Sequence, residues 1–216
     1  MATAATAAAV RSDFDVEVSA RSLGYNLPQK LGRLMALPML AMALMAFPAA
    51  LVVGIVRSAK IHNQSATPDV IAQLQHVQAG LMFIGFATVF AAISFAIARI
   101  LGQFRKGGGD VQEAAGRRVQ TLRMPIMAKA FLALMMMAMM TILTAVALHF
   151  VFAVQIDNNP ASLKLADDRM VVLEGVRRIG TAIYLFAIVL GLATIVHVLR
   201  FQAIRIRELA RESVSS

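Results

Sequence analysis

Residues 130–156 read AFLALMMMAMMTILTAVALHFVFAVQI, 27 positions without a single Asp, Glu, Lys or Arg. A bilayer's hydrocarbon core requires about 20 consecutive apolar residues in helical form, so this stretch is long enough to cross it. Three others have the same character: Leu34 to Val56, Val70 to Ala98 and Ile179 to Leu199, of 23, 29 and 21 residues. The 216-residue chain is 59% hydrophobic and 15% charged, whereas an ordinary soluble domain carries about 25% charge. These features predict an all-α integral membrane protein, a bundle of four transmembrane helices. A closed barrel would need alternating strands of about ten residues, and the sequence has none.

Charge placement orients the bundle. Of 21 basic residues, 15 fall before the first span (Arg11, Arg21, Lys30, Arg33), around the central connection (Arg99, Arg105, Lys106, Arg117, Arg118, Arg123, Lys129) or after the last span (Arg200, Arg205, Arg207, Arg211). The two other connections hold only Arg57 and Lys60, then Lys164, Arg169, Arg177 and Arg178. By the positive-inside rule both termini and the central loop are expected in the cytoplasm. The net charge of +9 is therefore a topology signal. Nucleic acid is not an expected partner, because no aromatic residues interleave the basic ones in a recognition pattern.

The expected layout is a cytoplasmic N-terminal tail and interfacial segment over 1–33, a first span over 34–56, and an outer loop with helix shoulder over 57–78. A second span follows over 79–101, then a cytoplasmic Gly-rich basic loop over 102–125 and a third span over 126–154. An outer loop and shoulder over 155–178, a fourth span over 179–201 and a cytoplasmic C-terminal helix and tail over 202–216 complete it. Residues 1 to 12 read as a flexible tail. Met1 to Val10 carries no basic residue and the first apolar core starts near Leu34, so the first span is expected to stay as an anchor rather than be cleaved as a signal peptide.

Thr67, Pro68 and Asp69 form a helix start: a cap, a proline at the first helical position and an acid at the positive end of the dipole. Helix two should run from Pro68 to about Arg105. Helix four should begin near Ser162 or Asp167, after Asn158-Asn159-Pro160, and continue through Arg207 to Arg211. Helices two and four would then extend beyond the bilayer, in a bundle of two helical hairpins divided by the glycine run of Lys106 to Asp110. Pro38 and Pro48 lie inside the first span, where each removes a backbone hydrogen bond.

Residues that could carry chemistry are few. Ionisable groups at mid-membrane mark proton relays and coupled transport, and the spans contain none. Thr88, Ser94, Thr141, Thr144 and Thr194 are the central polar side chains, each able to bond back to its own helix. The absence of cysteine excludes disulfides and thiolate metal sites. His62, His76 and His149 fall toward the outer side and are the candidate metal ligands, since imidazole suits copper and zinc; Asp157 lies near them in sequence. His149 and His197 sit at opposite ends of their spans, which argues against a bis-histidine haem between that pair. Methionine is abundant, 14 in all. Met35, Met39 and Met42 share one helix face and Phe83, Phe86 and Phe90 another, and both stripes read as packing or partner interfaces. Thioether spacing also makes copper a possible cofactor. No nucleophile triad, paired carboxylates or dinucleotide fingerprint is present.

These readings predict a non-catalytic membrane subunit of a bacterial inner membrane that packs against other integral subunits, or against itself, within the lipid bilayer. Two alternatives remain: a copper or redox-associated protein using the outer histidines and methionine-rich helices, and an oligomeric channel or transporter hinged at Pro38 and Pro48. No catalytic residue is assigned.

Overall fold

The computed structural model describes residues 14–19 and 23–215. The flexible tail expected over residues 1 to 12 lies outside them. Four helices dominate: α1 (Leu27–His62), α2 (Pro68–Ala114), α3 (Ile126–Gln155) and α4 (Pro160–Ser215). All four are long and apolar enough to cross a membrane. A short antiparallel pair, β1 (Val16–Ser19) with β2 (Val119–Leu122), joins Val16 to Leu122 and Ser19 to Val119. This pair is a small addition to the all-α bundle that the four apolar helices support, and among the described residues the interfacial segment expected near residues 13 to 30 holds β1 and the first turn of α1.

Local chemistry accounts for the helix ends. Gln29 Oε1 accepts from the Asn26 backbone N–H at 3.0 Å, the return half of a capping box, with Pro28 in the first turn where its missing donor is harmless. α1 closes when Ser65 N bonds Lys60 O and Gln64 N bonds Ile61 O, with Gln64 at φ 49°. α2 closes identically through Arg117 N to Gln112 O and Gly116 N to Glu113 O, with Gly116 at φ 68°. Both are Schellman motifs, one using the glycine that the left-handed position favours and the other tolerating glutamine. α2 starts at Pro68 as Thr67-Pro68-Asp69 predicts. α4 starts at Pro160, earlier than Ser162, because Asn159 Oδ1 accepts from Ala161 N at 2.9 Å.

One expectation is corrected outright: Lys106 to Asp110 is not loop. α2 passes through its three glycines to Ala114, so residues 102 to 114 of the expected central loop are helix.

The chain divides into two compact units. One comprises Met35–Ser94 and Ala133–Ala187, the other the residues through Leu34, Phe95–Leu132 and those from Ile188 on. The first unit holds both short connections, 63–67 and 156–159. There α1 and α2 meet where Phe47 sets its ring edge on Phe86 at 5.3 Å and Arg57 Nη2 donates to Gln75 Oε1 at 2.8 Å. α3 and α4 meet at Gly180, where an added Cβ would lie 2.8 Å from Ile142. α2 and α4 meet where Phe90 stacks on Tyr184 at 5.2 Å and Arg177 lies over Phe83 at 5.2 Å. These two contacts fall seven residues apart on both helices, the spacing of a left-handed parallel packing seam.

Small residues fill that core: Ala43, Ala46, Ala50, Ala87, Ala91, Ala138, Ala145 and Ala187 are buried, while Leu37, Leu44, Leu51, Met136, Leu143, Val171, Leu185 and Phe186 are exposed. Helices in lipid gain nothing from hiding apolar surface, so close approach over small side chains drives their packing. Thr88 donates to Ile84 O and Gly85 O, and Thr141 to Met137 O, as the sequence predicts. Ser94 differs: it is fully buried and its Oγ has no partner among the described residues. Ser94→Ala is therefore expected to leave stability unchanged or raise it by up to about 1 kcal/mol, since it removes an unpaired buried hydroxyl. A thermal midpoint followed by circular dichroism in detergent would show it, and a clear loss of stability would mean that the hydroxyl is bonded.

The second unit gathers β1, β2, the start of α1, the end of α2, the start of α3 and the end of α4. Its glycines permit close approach. A Cβ added at Gly108 would fall 2.5 Å from Gln202 Nε2, and one at Gly109 would fall 3.1 Å from Leu23. Gln202 donates to Phe104 O at 3.0 Å, and the buried Arg205 donates through Nη2 to Gly108 O at 2.9 Å. Gln112 bonds both Gly108 O and the backbone of Gln120, tying α2 to β2. Tyr25 stacks under Arg33 at 4.6 Å and Lys106 at 5.7 Å. Thr194 donates to Leu190 O.

Candidate functional site

Two histidines lie in the core of the unit formed by Met35–Ser94 and Ala133–Ala187. His76 is 1% exposed on α2 and His149 0% exposed on α3, and their Nδ1 atoms approach to 3.1 Å. His76 Nε2 lies 3.3 Å from the carbonyl oxygen of Ala166 on α4. Phe83 stands edge-on to His149 at 4.8 Å and Phe152 edge-on to His76 at 6.3 Å. Beyond them, Arg169 covers Phe152 at 4.1 Å and Arg177 covers Phe83. Glu174 pairs with Arg177 and, at 3.2 Å, with Arg178.

The hydrogen-bond roles follow from one fixed partner. A carbonyl only accepts, so His76 carries its proton on Nε2 and presents a lone pair at Nδ1. His149 must then donate from Nδ1 into that lone pair. Its own Nε2 is left as an acceptor, buried and without a partner among the described residues. An unpaired buried polar atom costs about 1–3 kcal/mol, so as a hydrogen-bonded pair alone the arrangement is not a stabilising device. What it offers is an oriented imidazole pair with one unused electron pair, on His149 Nε2.

Of the three candidate ligands named from sequence, the structure brings together His76 and His149. His62, the exposed last residue of α1, is not part of the cluster. The two that meet are buried inside their unit. Asp157 caps its own loop by accepting from Asn159 N. Among the described residues no group of three or more His, Cys, Asp or Glu is placed to hold a metal. His197 packs its ring on Phe14 at 4.9 Å in the other unit.

The phenylalanine stripe splits three ways: Phe83 toward His149, Phe86 onto Phe47 while 37% exposed, and Phe90 onto Tyr184. Met35 and Met39 are half-buried and Met42 exposed. Tyr184, which the sequence reading did not single out, is the largest fully buried side chain, and a lone tyrosine amid span residues was its only signal. An open cavity of about 490 Å³ lies between the loop at Gln64 and the starts of α2 and α4, lined by Lys60, Gln64, Gln75 and Asp167 among others. Comparison with known proteins returns no matching family, no matching curated protein and no matching solved structure.

Proposed function

We propose that the chain is a non-catalytic integral subunit of a membrane protein assembly, a four-helix bundle of two hairpins that packs against other integral membrane chains and positions them. The observation that carries this reading is the outward methionine surface. Met42 and Met45 on α1 and Met136, Met137 and Met140 on α3 are all exposed. Flexible, polarizable thioethers conform to partner surfaces and are over-used at such contacts. α1 adds to it, since only 17% of its most apolar window is buried against 50% for α2. On this reading α1 carries surface for contacts outside the chain.

The same reading places both termini and the glycine-rich segment in the cytoplasm of a bacterial inner membrane, following the distribution of Lys and Arg. At roughly 1.5 Å per residue, the 47 residues of α2 and 56 of α4 reach about 70 and 84 Å, against a hydrocarbon core of about 30 Å. Both helices would project polar shoulders into water, where further contacts can form.

Photo-crosslinking residues introduced at Met42 and Met137 test the proposal, with Val189 on α4 as the comparison position. Crosslinks from the methionine positions to another membrane chain, or to a second copy, are expected, with little from Val189. Lipid adducts alone at all three positions would overturn it.

A further inference from the structure

We propose that the open cavity at the short-connection end of the bundle holds the headgroup of one phospholipid of the ethanolamine type, its phosphate against Lys60 and its primary ammonium against Asp167. The site needs only that the four helices span a bilayer, and it is independent of any partner protein docking outside.

The cavity lies wholly within the unit formed by Met35–Ser94 and Ala133–Ala187. Its volume of about 490 Å³ falls inside the range of small-ligand sites, about 300–1,000 Å³. Lys60 near the end of α1 and Asp167 on α4 line it together, and among the described residues neither takes part in an ion pair. Two opposite charges that share a cavity without neutralising each other match a ligand that carries both signs. Gln75, also in the lining, accepts from Arg57 through Oε1, so its amide nitrogen remains as a donor. Arg57 Nε is buried and has no partner among the described residues. Cationic and donor groups thus gather on the side of α1 and α2, which suits a phosphate, since charge-assisted hydrogen bonds are the strong ones. Ile61, Ile71 and Leu163 supply apolar wall, which fits a glycerol backbone and the first methylenes of an acyl chain.

Depth sets the order of the charges. Lys60 follows Val56 by four residues and Gln75 precedes the span expected from 79 by four, about 6 Å along a helix. The headgroup region adds about 5–8 Å to each side of the hydrocarbon core. Asp167 stands 12 residues before Ile179, about 18 Å along α4. The cation therefore lies at the depth of the bilayer's phosphates and the carboxylate farther out, which is the order of charges along an ethanolamine phospholipid. The long Lys60 side chain spans part of the rise between them. A soluble zwitterion would impose no such order. The carboxylate also selects among lipids: it accepts N–H bonds from a primary ammonium, whereas a choline headgroup has no N–H to give and a glycerol headgroup has no positive charge.

Full-length protein, delipidated in detergent, would be mixed with equal amounts of dioleoyl phosphatidylethanolamine, phosphatidylcholine and phosphatidylglycerol and examined by native mass spectrometry. One phosphatidylethanolamine per chain is expected, retained at least fivefold over the other two. Lys60→Gln should lower that retention at least fivefold, and Asp167→Asn should bring phosphatidylethanolamine down to the level of phosphatidylcholine. Asp168→Asn, adjacent but outside the lining, should change nothing. No retained lipid, equal retention of all three, preference for either of the other two, or an effect of Asp168→Asn as large as that of Asp167→Asn would each overturn the site. Displacement of the lipid by an equal concentration of glycerophosphoethanolamine would overturn it too, by assigning the cavity to a soluble zwitterion. If a variant loses its helical circular dichroism, the headgroup preference of the unaltered protein still decides.

Discussion

Replacing Gly32 by alanine is expected to destabilise the protein by about 2 kcal/mol or more, and replacement by leucine to prevent α1 from seating at all, since overpacking against atoms that cannot move exceeds the usual cost of a tight core. A Cβ at position 32 would stand 2.5 Å from the carbonyl oxygen of Phe95 and 2.9 Å from the backbone nitrogen of Arg99. Both are helix backbone, so relief requires displacing a whole helix rather than turning a side chain. Gly175 supplies the control. It too is helical, but nothing lies within 4 Å of an added Cβ, so Gly175→Ala should gain up to about 1 kcal/mol from helix propensity alone. Two identical substitutions thus carry opposite signs. Thermal midpoints in detergent, read by far-ultraviolet circular dichroism, measure both; an unchanged midpoint for Gly32→Ala would mean that α1 does not lie this close to α2 at residues 95 to 99.

The same contrast explains which parts of the fold are legible in the sequence. Spans are announced by the absence of charge, and the start of α2 by Thr67-Pro68-Asp69, because capping is local chemistry; α4, expected from Ser162 or Asp167, starts instead at Pro160. The inward faces are hidden. In a soluble helix the buried stripe is the apolar one, but here Ala166, Leu173, Gly180, Ala187 and Thr194 recur inward on α4 while Ile179, Leu185, Val189 and Leu192 face out. Hydropathy does not separate the two sides; small residues recur on the inner one, with Leu173 and Tyr184 between them. The glycines at 107 to 109 mislead for a related reason: read as linker, they are helix, and Gly108 and Gly109 are small because Gln202 and Leu23 crowd them. Strands of four residues such as Val16–Ser19 and Val119–Leu122 are too short for alternation to stand out.

The candidate site was half legible. Residue position places His76 and His149 toward the same membrane face, but their meeting depends on the register of α2 against α3, which no motif records. Their burial could not be read either, since span residues are apolar on every side and a histidine among them has no polar face to join. The tautomer argument, and with it the unused nitrogen of His149, exists only once Ala166 O is seen beside His76.

Tyr184 shows how such a core holds together. Its ring is completely buried, stacked on Phe90 with a 23° interplanar angle, and its hydroxyl donates to Met139 Sδ at 3.2 Å. Thioether sulfur is a weak acceptor, so Tyr184→Phe should cost less than about 1 kcal/mol. Tyr184→Ala is different. Truncation leaves a void on the order of 100 Å³, and at about 24 cal/mol per Å³ that amounts to roughly 2.4 kcal/mol. Because the separated helices would still lie in hydrocarbon, little transfer energy is added, and the void itself sets the size of the effect. In a titration from mild detergent into SDS, the alanine variant should therefore unfold at markedly lower SDS fraction and the phenylalanine variant near the unaltered protein. Equal losses in both would shift the credit from ring packing to the hydroxyl. Equal retention in both would mean that α2, α3 and α4 close over the gap, and that this core is far softer than its small, tightly seated residues imply.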